Sequence, residues 1–76
     1  MSPHLETRRK LREIPLVADF EAVLDLCTLS DTDKEILRLH YIQQQDFRCI
    51  GDRLGYCEKT IKDRHRAALR KLNYVL

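Results

Sequence analysis

The sequence lacks the features that would mark it as secreted, membrane-embedded or metal-bound. Among its 76 residues there is no apolar run long enough to span a bilayer and no leader-like N-terminus, so a cytoplasmic location is expected. Its three cysteines, Cys27, Cys49 and Cys57, form no C-x-x-C pair. With the histidines they give no zinc-like spacing, so no metal and no cofactor are expected, and reduced thiols fit a cytoplasmic compartment. No Gly-rich phosphate loop or nucleophile constellation is present, and a chain this short has little room for a substrate pocket, so it does not read as an enzyme. Repeats, low-complexity tracts and Gly/Ser linkers are absent. Glycine is scarce, and both prolines, Pro3 and Pro15, lie near the start. Nothing after residue 15 therefore interrupts a succession of helices.

What is present is an ordinary globular composition, 43% apolar and 34% charged, enough for one small domain. The net charge of +2 conceals an asymmetry. Residues 16–35 carry six acidic side chains against Lys34 alone, whereas residues 47–72 carry eight basic side chains against Asp52, Glu58 and Asp63. A basic pole can face a polyanion. A salt-bridged, solvated surface explains the same counts equally well.

The hydrophobic pattern predicts an all-α fold, a bundle of four or five helices. Residues 1–15 read as a basic arm or a short helix, with Arg8, Arg9, Lys10 and Arg12 either solvated or touching a DNA backbone. Residues 16–76 read as the domain proper. Leu16, Val17, Phe20, Val23, Leu24 and Cys27 give an amphipathic helix over 16–27. Ser30 is suited to cap the next helix, about 31–42, with Asp31 and Asp33 in its first turn. Ile36, Leu37, Leu39, Tyr41 and Ile42 make that helix the most buried. Asp46 can cap a short helix, about 47–54, in which Gly51 permits a neighbouring helix to approach. Gly55 is suited to the left-handed conformation that ends it.

A last helix then runs from Glu58 to Leu72. Ile61, His65, Ala68, Leu69 and Leu72 share one stripe of it, and Lys59, Lys62, Asp63, Arg66 and Arg70 lie opposite. His65, on the apolar stripe, is expected to be partly buried and hydrogen-bonded. His40 shows no partner in sequence and is assigned a surface or boundary place. Cys57, in the turn, is the cysteine expected to be most exposed.

A short helix, a Gly-containing turn and a longer basic helix, over about 47–72, make a helix-turn-helix. In that motif the first helix braces the second, which presents its polar face to the DNA major groove. Glu58, Lys59, Lys62 and Asp63 are the early outward positions, with Thr60 flanking them. Arg66 and Arg70, further along, suit phosphates.

Residues 29–42 (LSDTDKEILRLHYI), 50–62 (IGDRLGYCEKTIK) and 68–72 (ALRKL) together resemble region 4 of sigma-70 family factors. The output domains of LuxR-type regulators share the fold and a step like Thr60-Ile61-Lys62, but the endings at 41–42 and 68–72 favour the sigma side. The resemblance implies binding of double-stranded, promoter-type DNA through Glu58, Lys59, Thr60, Lys62, Asp63 and Arg66. It also implies RNA polymerase as a further partner. Cys57 departs from the family, which usually has Ser or Thr there as helix cap, and His65 stands at a usually apolar position. The sigma regions that bind the −10 element and melt the promoter have no counterpart in these 76 residues. Two alternatives stay open. One is a protein-interaction module whose acidic helix at 16–27 grips RNA polymerase or another regulator. The other is a repressor, packaging or recombination factor of a phage or mobile element, with an N-terminal dimer seam. Oligomeric state and DNA site are left undetermined by the sequence.

Overall fold

Five helices account for most of the chain in the computed structural model, which describes residues 3–75. They are α1 (Pro3–Glu13), α2 (Val17–Asp25), α3 (Asp31–Leu37, prolonged by a π turn over Arg38–Ile42), α4 (Phe47–Leu54) and α5 (Glu58–Leu72). Among the described residues there is no strand, and no helix is long and apolar enough to cross a membrane.

Local chemistry sets most of the boundaries. The Asp33 backbone N–H donates to Ser30 Oγ at 3.1 Å, and the Cys49 N–H donates to Asp46 Oδ1 at 2.8 Å. Each bond satisfies one of the orphan donors that open a helix. Gly55 closes α4 at φ 82°, where a Cβ would be strained.

Residues 3–13 form a helix that enters the core. Thr7 and Leu11, one turn apart, are its buried positions. Leu11 joins Phe20, Leu24, Leu37, Ala68, Leu69 and Leu72 in the larger of two apolar clusters. The Thr7 hydroxyl also donates to Asn73 Oδ1 at 3.2 Å, tying α1 to the end of α5. The second cluster, Ile36, Leu39, Ile50 and Ile61, fastens α4 and α5 to α3.

Two features differ from expectation. Leu16 and Val17, assigned to the apolar stripe of the second helix, are 60% and 58% exposed. Nine residues of helix meet the core along one narrow strip, Phe20 and Leu24, and the first turn projects beyond it. The third helix does not stay α-helical to its end. The Gln43 N–H reaches back five residues to the Arg38 carbonyl, at 3.2 Å. The wider π turn rotates less per residue, so Leu39, His40 and Tyr41 all reach inward contacts.

His40 takes the boundary place of the two expected, half-buried, and has partners that the sequence did not show. Its ring stacks on Phe47 at 4.4 Å, and its Nδ1–H donates to the Gln45 carbonyl at 2.9 Å. Phe47, Tyr41 and His65 surround it, and Tyr41 and His65 share a 2.6 Å hydrogen bond. The partly buried, hydrogen-bonded role expected of His65 is the one seen, at 5% exposure.

Most of the acidic side chains of α2 and α3 face cations on neighbouring helices. Arg38 binds Glu21 across α3 and α2, with Nη2 at 2.7 Å from Oε1, and hydrogen bonding from Arg38 holds the Glu21 carboxyl below its ordinary 4.5. Lys34 meets Asp25 at 3.1 Å, and Arg64 of α5 meets Asp33 at 3.2 Å.

Candidate nucleic-acid interface

The turn between α4 and α5 is closed by backbone bonds. The Gly51 carbonyl accepts from both the Gly55 and the Tyr56 N–H groups, each at 2.9 Å. A Cβ built on Gly51 would sit 2.5 Å from the Tyr56 carbonyl oxygen. The close approach that needs glycine is therefore made by the turn itself, with Ile61 of α5 just beyond at 3.5 Å.

Past the turn, α5 divides cleanly. Ile61, His65, Ala68, Leu69 and Leu72 are buried, as the 3.6-residue period requires. On the opposite side Lys59, Asp63, Arg66 and Arg70 form one exposed line, at i, i+4, i+7 and i+11. Lys62 flanks it, exposed, and pairs with Glu58 at 3.6 Å over one helical turn. That pair is solvated and contributes little, so Lys62 remains available to an outside anion. Lys59, Arg66 and Arg70 form no ion pair among the described residues.

Thr60 is placed differently from the other candidates. It is half-buried, and its hydroxyl lies 3.1 Å from Cys57 Sγ. Cys57 has the extended backbone of an N-cap, φ −73° and ψ 157°, yet its side chain makes no capping bond. Hydrogen bonding from the Thr60 hydroxyl, and then from backbone N–H groups at the helix start, lowers the thiol pKa. The thiol is exposed, as expected, and so is that of Cys49.

Sequence reasoning passed over the residues that aim the helix. The Arg64 guanidinium binds Asp33 and lies 5.2 Å from the Tyr56 ring centroid, joining α5, α3 and the turn. A helical wheel puts Arg64 about 60° from Ile61, beside the core stripe, so the signal was there to be read. The Lys71 ammonium donates to the Thr28 carbonyl at 3.0 Å. No sequence pattern announces that contact between residues so far apart.

The arrangement is a braced helix that presents a cationic line to solvent. The family model for sigma-70 region 4 matches residues 26–73, which includes both helices and the turn. Neither the curated proteins nor the solved structures give a match.

Proposed function

The chain belongs to the sigma-70 region 4 family of helix-turn-helix DNA-binding regulators, and we propose that it holds duplex DNA in the major groove with the outer line of α5. The observation that carries this reading is that Lys59, Arg66 and Arg70 stand exposed on one side of α5, while every buried contact of that helix lies on the other. Glu58, Lys59, Lys62 and Asp63, on the first turns, are the base-edge candidates. Arg66 and Arg70 suit phosphates. Thr60, half-buried beside the Cys57 thiol, is left with a phosphate-side role at most.

The test is duplex binding against salt, on sequences selected from a random pool. Two phosphate contacts, from Arg66 and Arg70, give a slope of log K against log salt of about −1.8. Lys62→Glu with Arg66→Glu should abolish binding and leave the helical signal intact. Binding that survives this double reversal moves the interface to another face.

Contact with RNA polymerase is a second reading, in keeping with the family. The exposed Leu16 and Val17 beside a cleft of about 180 Å³ at the α1–α2 junction favour it. Retention of core polymerase by the wild-type protein, lost with Leu16→Ser and Val17→Ser, is the expected result.

A further inference from the structure

Asp63 is the one acidic side chain on the exposed line of α5, between Lys59 and Arg66. At about 100° per residue it lies about 180° from the mean direction of the buried Ile61, His65, Ala68, Leu69 and Leu72. It therefore points straight away from the body of the domain. Glu58, the other acid of α5, lies about 140° round the helix from it and has Lys62 at 3.6 Å. We propose that Asp63 selects the DNA sequence, its carboxylate accepting a hydrogen bond from the N4 amino group of a cytosine in the major groove. That role rests on α5 being the helix that enters the groove, and it names the base that the helix reads.

The carboxylate is unused within the fold. Lys59, four residues before it, and Arg66, three residues after it, are within helical reach. Asp63 nonetheless forms no ion pair among the described residues. The order of charges accounts for the contrast with Glu58. An acid four residues ahead of a base is the favoured orientation on a helix, as in Glu58 and Lys62, whereas Lys59 and Asp63 run the other way. An anion at the centre of a cationic face weakens the hold on phosphates. A donor in the groove is what offsets that cost.

The base edges differ sharply in what they offer. An ionised carboxylate only accepts hydrogen bonds. In the major groove guanine presents the acceptors N7 and O6, and thymine presents O4 and a methyl group. Adenine sets the N7 acceptor beside its N6 amino donor, so a lone pair opposes one carboxylate oxygen. Cytosine presents its N4 amino group alone. The guanine paired with that cytosine turns O6 and N7 toward a cation, and Lys59 and Arg66 stand on either side of Asp63. An acid flanked by cations thus matches a C·G pair, whose donor and acceptors lie side by side.

Selection of duplexes from a random pool, run in parallel with the wild type and Asp63→Asn, tests this. The wild-type site should hold a C·G pair whose replacement by T·A weakens binding about tenfold. In Asp63→Asn the preference at that position should move to A·T, because a side-chain amide matches adenine N6 and N7, and the rest of the motif should stay. Affinity for an unrelated duplex should rise about three- to fivefold, since one charge repelled by phosphate is gone. Asp63 is exposed and outside every ion pair among the described residues, and Asp and Asn have similar helix propensities, so Tm should not change. An unaltered motif in Asp63→Asn, even with tighter binding, overturns the proposal and leaves the acid a bystander on the face. So does an A·T pair, in the wild-type site, at the position that Asp63→Asn alters. A wild type that enriches no motif overturns the reading of α5 beneath it as well, which Lys62→Glu with Arg66→Glu tests separately.

Discussion

Replacing Tyr41 with Phe deletes one oxygen beside the core and keeps the ring. The phenol is 2.6 Å from His65 Nε2. Burial pushes its pKa up to about 12, against a smaller opposing pull from Arg8 and Arg12, so it keeps its proton at any working pH. Tyr41→Phe preserves the ring contacts with His65 at 5.6 Å and Phe20 at 6.2 Å. What it removes is the hydroxyl partner of a ring nitrogen in a residue only 5% exposed. A neutral hydrogen bond contributes about 1 kcal/mol net, and leaving a buried polar group without its partner costs about 1–3 kcal/mol. Tyr41→Phe should therefore destabilise by about 1–2 kcal/mol. At this chain length each kcal/mol lowers Tm by about 4–8 °C.

The double variant isolates the bond from the burial. His65→Leu places an apolar side chain on a stripe that is otherwise Ile61, Ala68, Leu69 and Leu72. In Tyr41→Phe with His65→Leu both partners of this bond are gone, so each substitution should cost less beside the other than it does alone. Urea unfolding at mildly alkaline pH, followed by far-UV circular dichroism, gives all four corners of the cycle. A coupling of about 1–2 kcal/mol is expected. Wild-type stability in Tyr41→Phe, or strictly additive single effects, refutes the reasoning.

Two further outcomes follow from titration and exposure. Alkylation at near-neutral pH should modify Cys57 first, because Thr60 and the helix start lower its pKa, whereas Asp46 raises that of Cys49 and burial raises that of Cys27. Peptide mapping after a short iodoacetamide pulse reads the order, and faster labelling of Cys49 or Cys27 contradicts it. Acidification should destabilise the fold in two stages. Burial first, then Arg8 and Arg12, lower the His40 pKa from 6.5 against the pull of the Gln45 carbonyl and Asp46. The unfolded chain therefore takes up that proton more readily, and stability falls as pH drops below about 6.5. Glu21 and Asp46, lowered from 4.5 and 3.8, add their loss only below those values. His40→Gln keeps a donor for Gln45 and does not titrate, so it should flatten the first stage; an unchanged profile assigns that stage to another group.

The limits of α5, the caps Ser30 and Asp46 and the turn at Gly55 were legible because each depends on a few neighbouring residues. So was the division of α5 into a buried and an exposed side, which helical period alone dictates. The proposed face inherits that legibility except at Thr60, which turns toward Cys57. What the sequence hid depends on partners far along the chain. Leu11 looks isolated in a basic segment until α5 supplies Leu69 and Leu72. Leu16 and Val17 match a helical stripe, but no element among the described residues covers them. The π turn and the ring cluster around His40 arise together, since Phe47 and His65 come from other helices.

Charge is where the structure adds most. The charge counts fitted a salt-bridged surface as well as a polarised one, and Glu21, Asp25 and Asp33 are indeed bound by Arg38, Lys34 and Arg64. These pairs are partly solvated, so each contributes little to stability. Their consequence is geometric. Arg64 with Asp33, Lys71 with the Thr28 carbonyl and Thr7 with Asn73 hold α5 at its middle and end. All three contacts fall outside the exposed line of Lys59, Asp63, Arg66 and Arg70. With Arg64 and Lys71 held as tethers, Lys59, Lys62, Arg66 and Arg70 are the cations of α5 left to an outside partner. For the same reason, reversing charge on Lys62 and Arg66 removes no contact between helices. Loss of DNA binding in that variant therefore reports on the face and not on the fold.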